Sequence, residues 1–284
     1  MNTTRYVEKY LPVDGGRITY ITVGNPAQPP LLLVHGWLSS RHVWRNTIEA
    51  FKDTHYCIAL DLLGLGDSDK PHDADYSIAA QAARVLALAD ALGLQRFSLM
   101  GHSMGGQISL YIAAKLAPER VVKLVDVDGV VTGRLTPVVE YVTKLQMWMG
   151  SKLPMLYDLT QLAIRVPVIA KIQFRPWFHD MDNPPFDFWA IDRRMSMRSS
   201  VAVTAYDMGK AIAGMNLAPF LGDIQVPTLV IFGDDDGTVP VPQGQLAAER
   251  IPNAKLVIVP ACGHFPMYEK PAEFVAAVQA FLQA

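Results

Sequence analysis

Short apolar runs, punctuated by glycine and proline, alternate along this chain with longer stretches whose apolar residues recur at helical spacing. The runs Leu31–Val34, Tyr56–Leu60, Phe97–Met100, Val121–Val127, Thr228–Phe232 and Lys255–Val259 are largely apolar. That is the pattern of strands covered on both faces of a sheet. Between them, Val43–Phe51 and Ile78–Leu92 read as helices, the second stopping at Gly93. Ahead of the first run, Asp14-Gly15-Gly16 turns into a strand over Ile18–Val23, an antiparallel lead-in. Strand and helix alternating in this way predict an α/β fold, with a mostly parallel central sheet flanked by helices. The alternation breaks between about Val130 and Leu221, a stretch holding Trp148, Trp177, Trp189 and eight of the twelve methionines. There is no internal repeat and no low-complexity tract.

One stretch carries chemistry. Phe97 to Gly106 (FSLMGHSMGG) reads as a buried strand, a sharp turn with Ser103 at its apex, then a helix over Gln107–Ala117 closed by Pro118. Gly101, Ser103 and Gly105 form a Gly-x-Ser-x-Gly nucleophile elbow. The glycines are needed because strand and helix nearly collide on either side of a strained serine. The helix behind Ser103 starts with free N–H groups that favour negative charge. Upstream, Leu31–Val34 runs into His35-Gly36-Trp37, where half of an oxyanion hole belongs; the donors expected are the backbone N–H groups of Trp37 and Met104. Two later strands end in loops rich in candidates. One is Gly233-Asp234-Asp235-Asp236-Gly237-Thr238-Val239-Pro240, and the other is Cys262-Gly263-His264-Phe265. Chemistry alone does not choose among three consecutive acids.

From about residue 15 to the carboxyl end the chain resembles the α/β-hydrolase superfamily, in its esterase-like branch. The resemblance rests on His35-Gly36, the loop Asp61 to Ser68, the elbow Gly101 to Gly106, Gly233 to Pro240, and Gly263-His264. Family spacing Gly-x-x-Asp-x-x-Val-Pro falls on Gly233, Asp236, Val239 and Pro240, which selects Asp236. Asp128 is the alternative, because some members carry the acid one strand earlier. The implied organisation is a hydrolase core over 1–129 and 222–284, with a helical cap inserted over 130–221. Its methionines and aromatics suggest an adaptable apolar ceiling, and Pro184-Pro185 is expected to break a cap helix.

The resemblance implies a serine carboxylesterase acting on small to medium acyl or aryl esters. Ser103 would attack, His264 would move the proton, and Asp236 would orient the imidazole, with no metal or organic cofactor. Carbon–carbon hydrolases of ring-cleavage products, lactonases, thioesterases and perhydrolases share the triad. A ligand receptor on the same fold is a non-enzymatic alternative. Other residues have plainer readings: His35, His102 and Asp61 as structural groups, Asp234 and Asp235 as solvated loop acids, Arg193 and Arg194 as a solvated helix face.

Composition narrows the field further. At 284 residues, half of them hydrophobic, the chain can bury a large core. A net charge of −2 gives no basic footprint for nucleic acid. No apolar run approaches the ~20 residues needed to span a bilayer. Met1 to Tyr10 lacks a signal-peptide core, and Cys57 and Cys262 read as free thiols, so a cytoplasmic location is expected. His42, His55, His72 and His179 show no metal-ligand spacing. The expected partner is a small-molecule ester; oligomeric state is left open.

Overall fold

Eight strands make one sheet in the order β1-β2-β4-β3-β5-β6-β7-β8. They are β1 Lys9–Val13, β2 Gly16–Val23, β3 Pro30–Val34, β4 Tyr56–Leu60, β5 Phe97–His102, β6 Val121–Val127, β7 Thr228–Gly233 and β8 Ala254–Val259. The computed structural model describes residues 6–153, 155, 159, 162–163, 166–186, 188–189 and 202–284. β2 lies antiparallel to both β1 and β4, and every pairing from β4 through β3 to β8 is parallel. The α/β fold expected from the sequence is the fold observed.

The chain runs from β3 to β4 on one side, then returns to place β5 on the other. β3 and β5 therefore flank the point where strand order reverses, the place where open α/β sheets leave a crevice beyond their carboxyl ends. Val34 is in register with Gly101, so the loops after the two strands emerge side by side.

Successive side chains point to opposite faces. Leu32, Ile58, Leu99 and Phe232 join one apolar layer, and Leu31, Leu33, Met100 and Ile231 join the other. This double burial is why the central strands read as apolar runs rather than alternating ones.

Helices cover both faces. They include α1 (Arg45–Phe51), α2 (Ile78–Ala91), whose first turn is capped by the Ser77 hydroxyl accepting the Ala80 N–H at 3.1 Å, and α3 (Met104–Tyr111), which continues as a π turn over Ile112–Leu116. Between β6 and β7 the chain makes α4 (Pro137–Lys152), α5 (Pro167–Phe174), a 3₁₀ turn (Arg175–Trp177) and α6 (Ala202–Gly214). α4 packs against α6. Pro184-Pro185 does not interrupt a helix: the Trp189 N–H bonds the Pro185 carbonyl at 2.9 Å, so the pair starts a helical turn. Arg193, Arg194, Met195 and Met197 lie outside the described residues. After β7 come α7 (Pro242–Arg250), α8 (Pro266–Glu269) and α9 (Pro271–Gln283). No helix among the described residues is long and apolar enough to cross a membrane.

Candidate active site

β5 ends at His102 and α3 begins at Met104, which leaves Ser103 alone at the apex with φ 56° and ψ −117°. Such a backbone costs on the order of 1–3 kcal/mol in a residue other than glycine. Three backbone hydrogen bonds hold it. The Ser103 N–H donates to Val127 (2.9 Å), and its carbonyl accepts the N–H groups of Gln107 (3.1 Å) and Val130 (3.2 Å). The small flanking residues have a direct steric cause. A Cβ on Gly101 would run into the Gly105 carbonyl and the Ser109 hydroxyl, and one on Gly105 into the carbonyls of Val34 and His35.

The loop after β8 brings in His264, whose N–H donates to the Trp177 carbonyl at 2.8 Å. Its ring Nδ1 lies 2.8 Å from Asp236 Oδ2, and both side chains are buried. A carboxylate only accepts, so Nδ1 carries the proton and Nε2 presents a lone pair. The other Asp236 oxygen accepts the N–H groups of Thr238 (2.7 Å) and Val239 (2.9 Å). Of the three consecutive acids only Asp236 is turned inward. Asp234 and Asp235 are exposed, one accepting the Cys262 N–H at 3.2 Å, the other 2.9 Å from the His179 ring. Ser103 and His264 line one cavity, with no hydrogen bond between their side chains.

Trp37 and Met104 follow β3 and β5 at the same end of the sheet. Neither N–H has an acceptor among the described hydrogen bonds, and Met104 opens α3, where the helix itself offers none. The loop carrying Trp37 is fixed by His35. The Leu62 N–H donates to its Nε2 (3.0 Å), so its Nδ1–H donates to the Gly36 carbonyl (2.8 Å). Burial holds this imidazole below its usual pKa, and it serves as a neutral brace. His102 plays a similar part. Its Nε2 bonds the His264 carbonyl at 2.8 Å, and burial, then the adjacent His264, keep it well below the usual imidazole range. Asp61 is also structural: fully buried, it accepts the N–H groups of Arg41 (2.6 Å) and Asp67 (2.8 Å) and pairs with the Arg41 guanidinium.

Two acids on the other side of the triad candidates escaped sequence reasoning as a pair. Asp126 and Asp128 are both fully buried, at the end of β6 and just beyond it. Burial, then the neighbouring Asp236 carboxyl, holds Asp128 well above the usual carboxylate range. Only the juxtaposition of the β6 and β7 ends creates this contact, and no local motif signals it. A ring nitrogen each from His102 and His264 and an Asp128 oxygen lie within 4.8 Å of one another, the one such His/Cys/Asp/Glu grouping among the described residues. His264 already spends Nδ1 on Asp236 and His102 spends Nε2 on a carbonyl. Each ring keeps its other nitrogen, and His102 Nδ1 is buried without a hydrogen bond.

The cavity over Ser103 measures about 270 Å³. Val138, Val139 and Val142 of α4, Ile172 of α5, Trp177 and Ile212 of α6 form much of its wall; Gln173 and Thr238 add polar groups. No Lys, Arg, Asp or Glu lines it among the described residues. Among the described residues no methionine lines it: Met181 and Met208 are buried in the packed core and Met155 is exposed, while branched aliphatics and Trp177 form the wall. The side chains of Met147 and Met149 lie outside the described residues. Both cysteines are buried free thiols; burial pushes Cys57 up to about 12 and Cys262 higher still, so neither supplies a thiolate.

The sequence model of the family described as alpha/beta hydrolase fold matches residues 29–271. Lipase 3 of Moraxella sp. (strain TA144) is 30% identical over 274 residues, covering 94% of this chain and 82% of the lipase. The 2-hydroxy-6-oxo-6-(2'-aminophenyl)hexa-2,4-dienoic acid hydrolase of Metapseudomonas resinovorans is 30% identical over 290 residues, covering 98% and 91%. A solved membrane phospholipase A, described as a bacterial virulence factor, superposes with TM-score 0.78 at 30% identity, covering 98% of this chain and 86% of that one.

Proposed function

The chain is a hydrolase belonging to the α/β-hydrolase fold family, and from that premise we propose that it is a serine carboxylesterase for small to medium acyl or aryl esters. One observation carries the reading: a buried Asp236–His264 hydrogen bond and a serine at a strained elbow face one apolar cavity. In the proposed mechanism His264 Nε2 takes the Ser103 proton as Oγ attacks the ester carbonyl. Asp236 holds the tautomer and stabilises the imidazolium. The Trp37 and Met104 N–H groups receive the oxyanion, each contributing ~3 kcal/mol in the transition state. His264 then protonates the departing alcohol, and water repeats the sequence on the acyl-enzyme.

Residues 130–221 act in this reading as a cap over the core formed by 1–129 and 222–284. The absence of charged side chains from the lining among the described residues favours neutral esters. The substrate is a small molecule, and two buried free thiols are consistent with a cytoplasmic location.

A carbon–carbon hydrolase is the second reading, favoured by the 30% identical dienoic acid hydrolase. Against it, the described lining offers no cation for a substrate carboxylate. Turnover of p-nitrophenyl esters from acetate to laurate, with Ser103→Ala as the blank, tests the proposal. Serine-dependent hydrolysis is expected; well-folded protein without it, yet active on a ring-cleavage dienoate, would move the assignment to carbon–carbon chemistry.

A further inference from the structure

Asp128 sits where β6 ends, in a left-handed conformation (φ 46°), with its N–H bonded to Ile231 of β7 (2.8 Å). One carboxyl oxygen accepts the Gly233 N–H at 3.0 Å. The other, Oδ2, is buried with no N–H or O–H donor, while the Asp128 and Asp236 carboxyls are in hydrogen-bond contact. Two carboxyl groups can make that contact only by sharing a proton. Acceptor counting places the charge. Asp236 receives three N–H groups, from Thr238, Val239 and the His264 ring, whereas Asp128 receives one.

We propose that Asp128 is a positioning residue, a neutral carboxylic acid whose O–H donates to Asp236, and that it is also a resident replacement acid able to serve His264 when Asp236 is neutralised. This rests on the serine–histidine–aspartate reading above. In the resting protein the Asp128 O–H donates to Asp236 and the His264 Nδ1–H donates to the same carboxylate, so its one negative charge is held between two side-chain donors as well as the two backbone N–H groups. Without that charge Asp128 loses one of the two main causes that keep it protonated, while burial, the larger, remains. It lies within 4.8 Å of a His264 ring nitrogen and can ionise there as pH rises. The groups facing it are Asp126 on its own strand, Asp236 after β7, His102 after β5, and Cys262 and His264 from the loop after β8. None of these is a fixed cation, so the relay carries a single negative charge in either arrangement.

The experiment is a cycle of Asp236→Asn, Asp128→Asn and the double variant, assayed on a p-nitrophenyl ester across pH with Ser103→Ala as control. Asn at 128 can still donate to Asp236 and accept from Gly233, so that variant should lose less than about tenfold in kcat. Asp236→Asn should lose only about 10- to 100-fold rather than the ~10⁴ seen when a triad acid has no substitute. Its acid limb should move to higher pH, because a buried Asp128 must now ionise. The double variant should fall by a further ~100-fold or more, far beyond the sum of the singles. Asp236→Asn already as inactive as the double variant would overturn the proposal and leave the triad intact. Asp128→Asn as damaging as losing a triad acid, with Asp236→Asn near wild type, would instead move the acid itself to Asp128. Activity surviving in Ser103→Ala would remove the triad reading on which both depend.

Discussion

The Gln107 side-chain amide donates to the Met215 carbonyl at 2.8 Å, tying the helix behind Ser103 to the segment that closes the excursion between β6 and β7. A second bond reaches Ile212 at 3.2 Å, and Ile212 lines the cavity. Gln107→Met removes both donors from a buried site, at about 1–3 kcal/mol. For a chain of this length that lowers Tm by about 2–4 °C per kcal/mol. Steady-state kinetics should show KM rising more than kcat falls, since the wall moves and the elbow does not. Equal Tm values in the variant and the wild type would remove the amide as the tie.

Ser103 itself is a site of conflict between fold and chemistry. Its φ of 56° is a region glycine occupies freely. Ser103→Gly should therefore lose activity by about 10⁶-fold, as triad knockouts can. The same variant should relieve part of a strain of order 1–3 kcal/mol, after subtracting the greater entropy of an unfolded glycine. Calorimetry should find it melting at or above the wild-type temperature; a lower Tm would mean that the serine backbone is not strained.

Gly105→Ala should do the opposite. Its new Cβ meets backbone carbonyls of Val34 and His35, which have no rotamer by which to yield. Overpacking of this kind costs about 1–3 kcal/mol or more. A urea midpoint well below wild type is expected, with activity lost alongside.

Asp126 gives the fold a pH dependence. The carboxyl is fully buried, neither oxygen is hydrogen-bonded, and burial pushes it from 3.8 up to about 7. Below about pH 4 folded and unfolded chains both hold the proton. Between that point and about pH 7 only the unfolded chain releases it, so stability falls by on the order of 4 kcal/mol and then levels off. Asp126→Asn cannot titrate and lacks this slope. Urea unfolding at pH 5 and pH 8 should show the variant gaining on the wild type as pH rises; parallel curves would contradict the assignment.

Cys262 lies two residues before His264 yet has no thiolate to offer. Iodoacetamide at pH 8 should leave activity unchanged over a period in which a serine-directed organophosphate abolishes it. Loss of activity to the thiol reagent would show that the loop opens.

Much of this arrangement is legible in the amino-acid order because its causes are local. Tyr56–Leu60 and Val121–Val127 announce their own boundaries, being covered on both faces or nearly so. The elbow is legible because its glycines answer contacts made within a few residues of the serine and with the neighbouring strand. Lys9–Val13 is harder to see. It pairs on one side only and is largely exposed, so no apolar run marks it. The helix expected over Gln107–Ala117 ends as a π turn, with the Ala117 N–H reaching back to Ile112 at 3.0 Å, a change of register that composition does not reveal. The inward turn of Asp236 was selected by spacing. Its contact with Asp128 joins residues far apart in the chain and could not be.

The cavity's apolar wall also sets a thermodynamic expectation. Its volume of about 270 Å³ is room for several waters. Those waters would find few partners along valine, isoleucine and tryptophan side chains. An acyl chain that displaces them should bind with a negative change in heat capacity, largest for the chain that just fills the space. Longer chains would then add length without releasing more solvent.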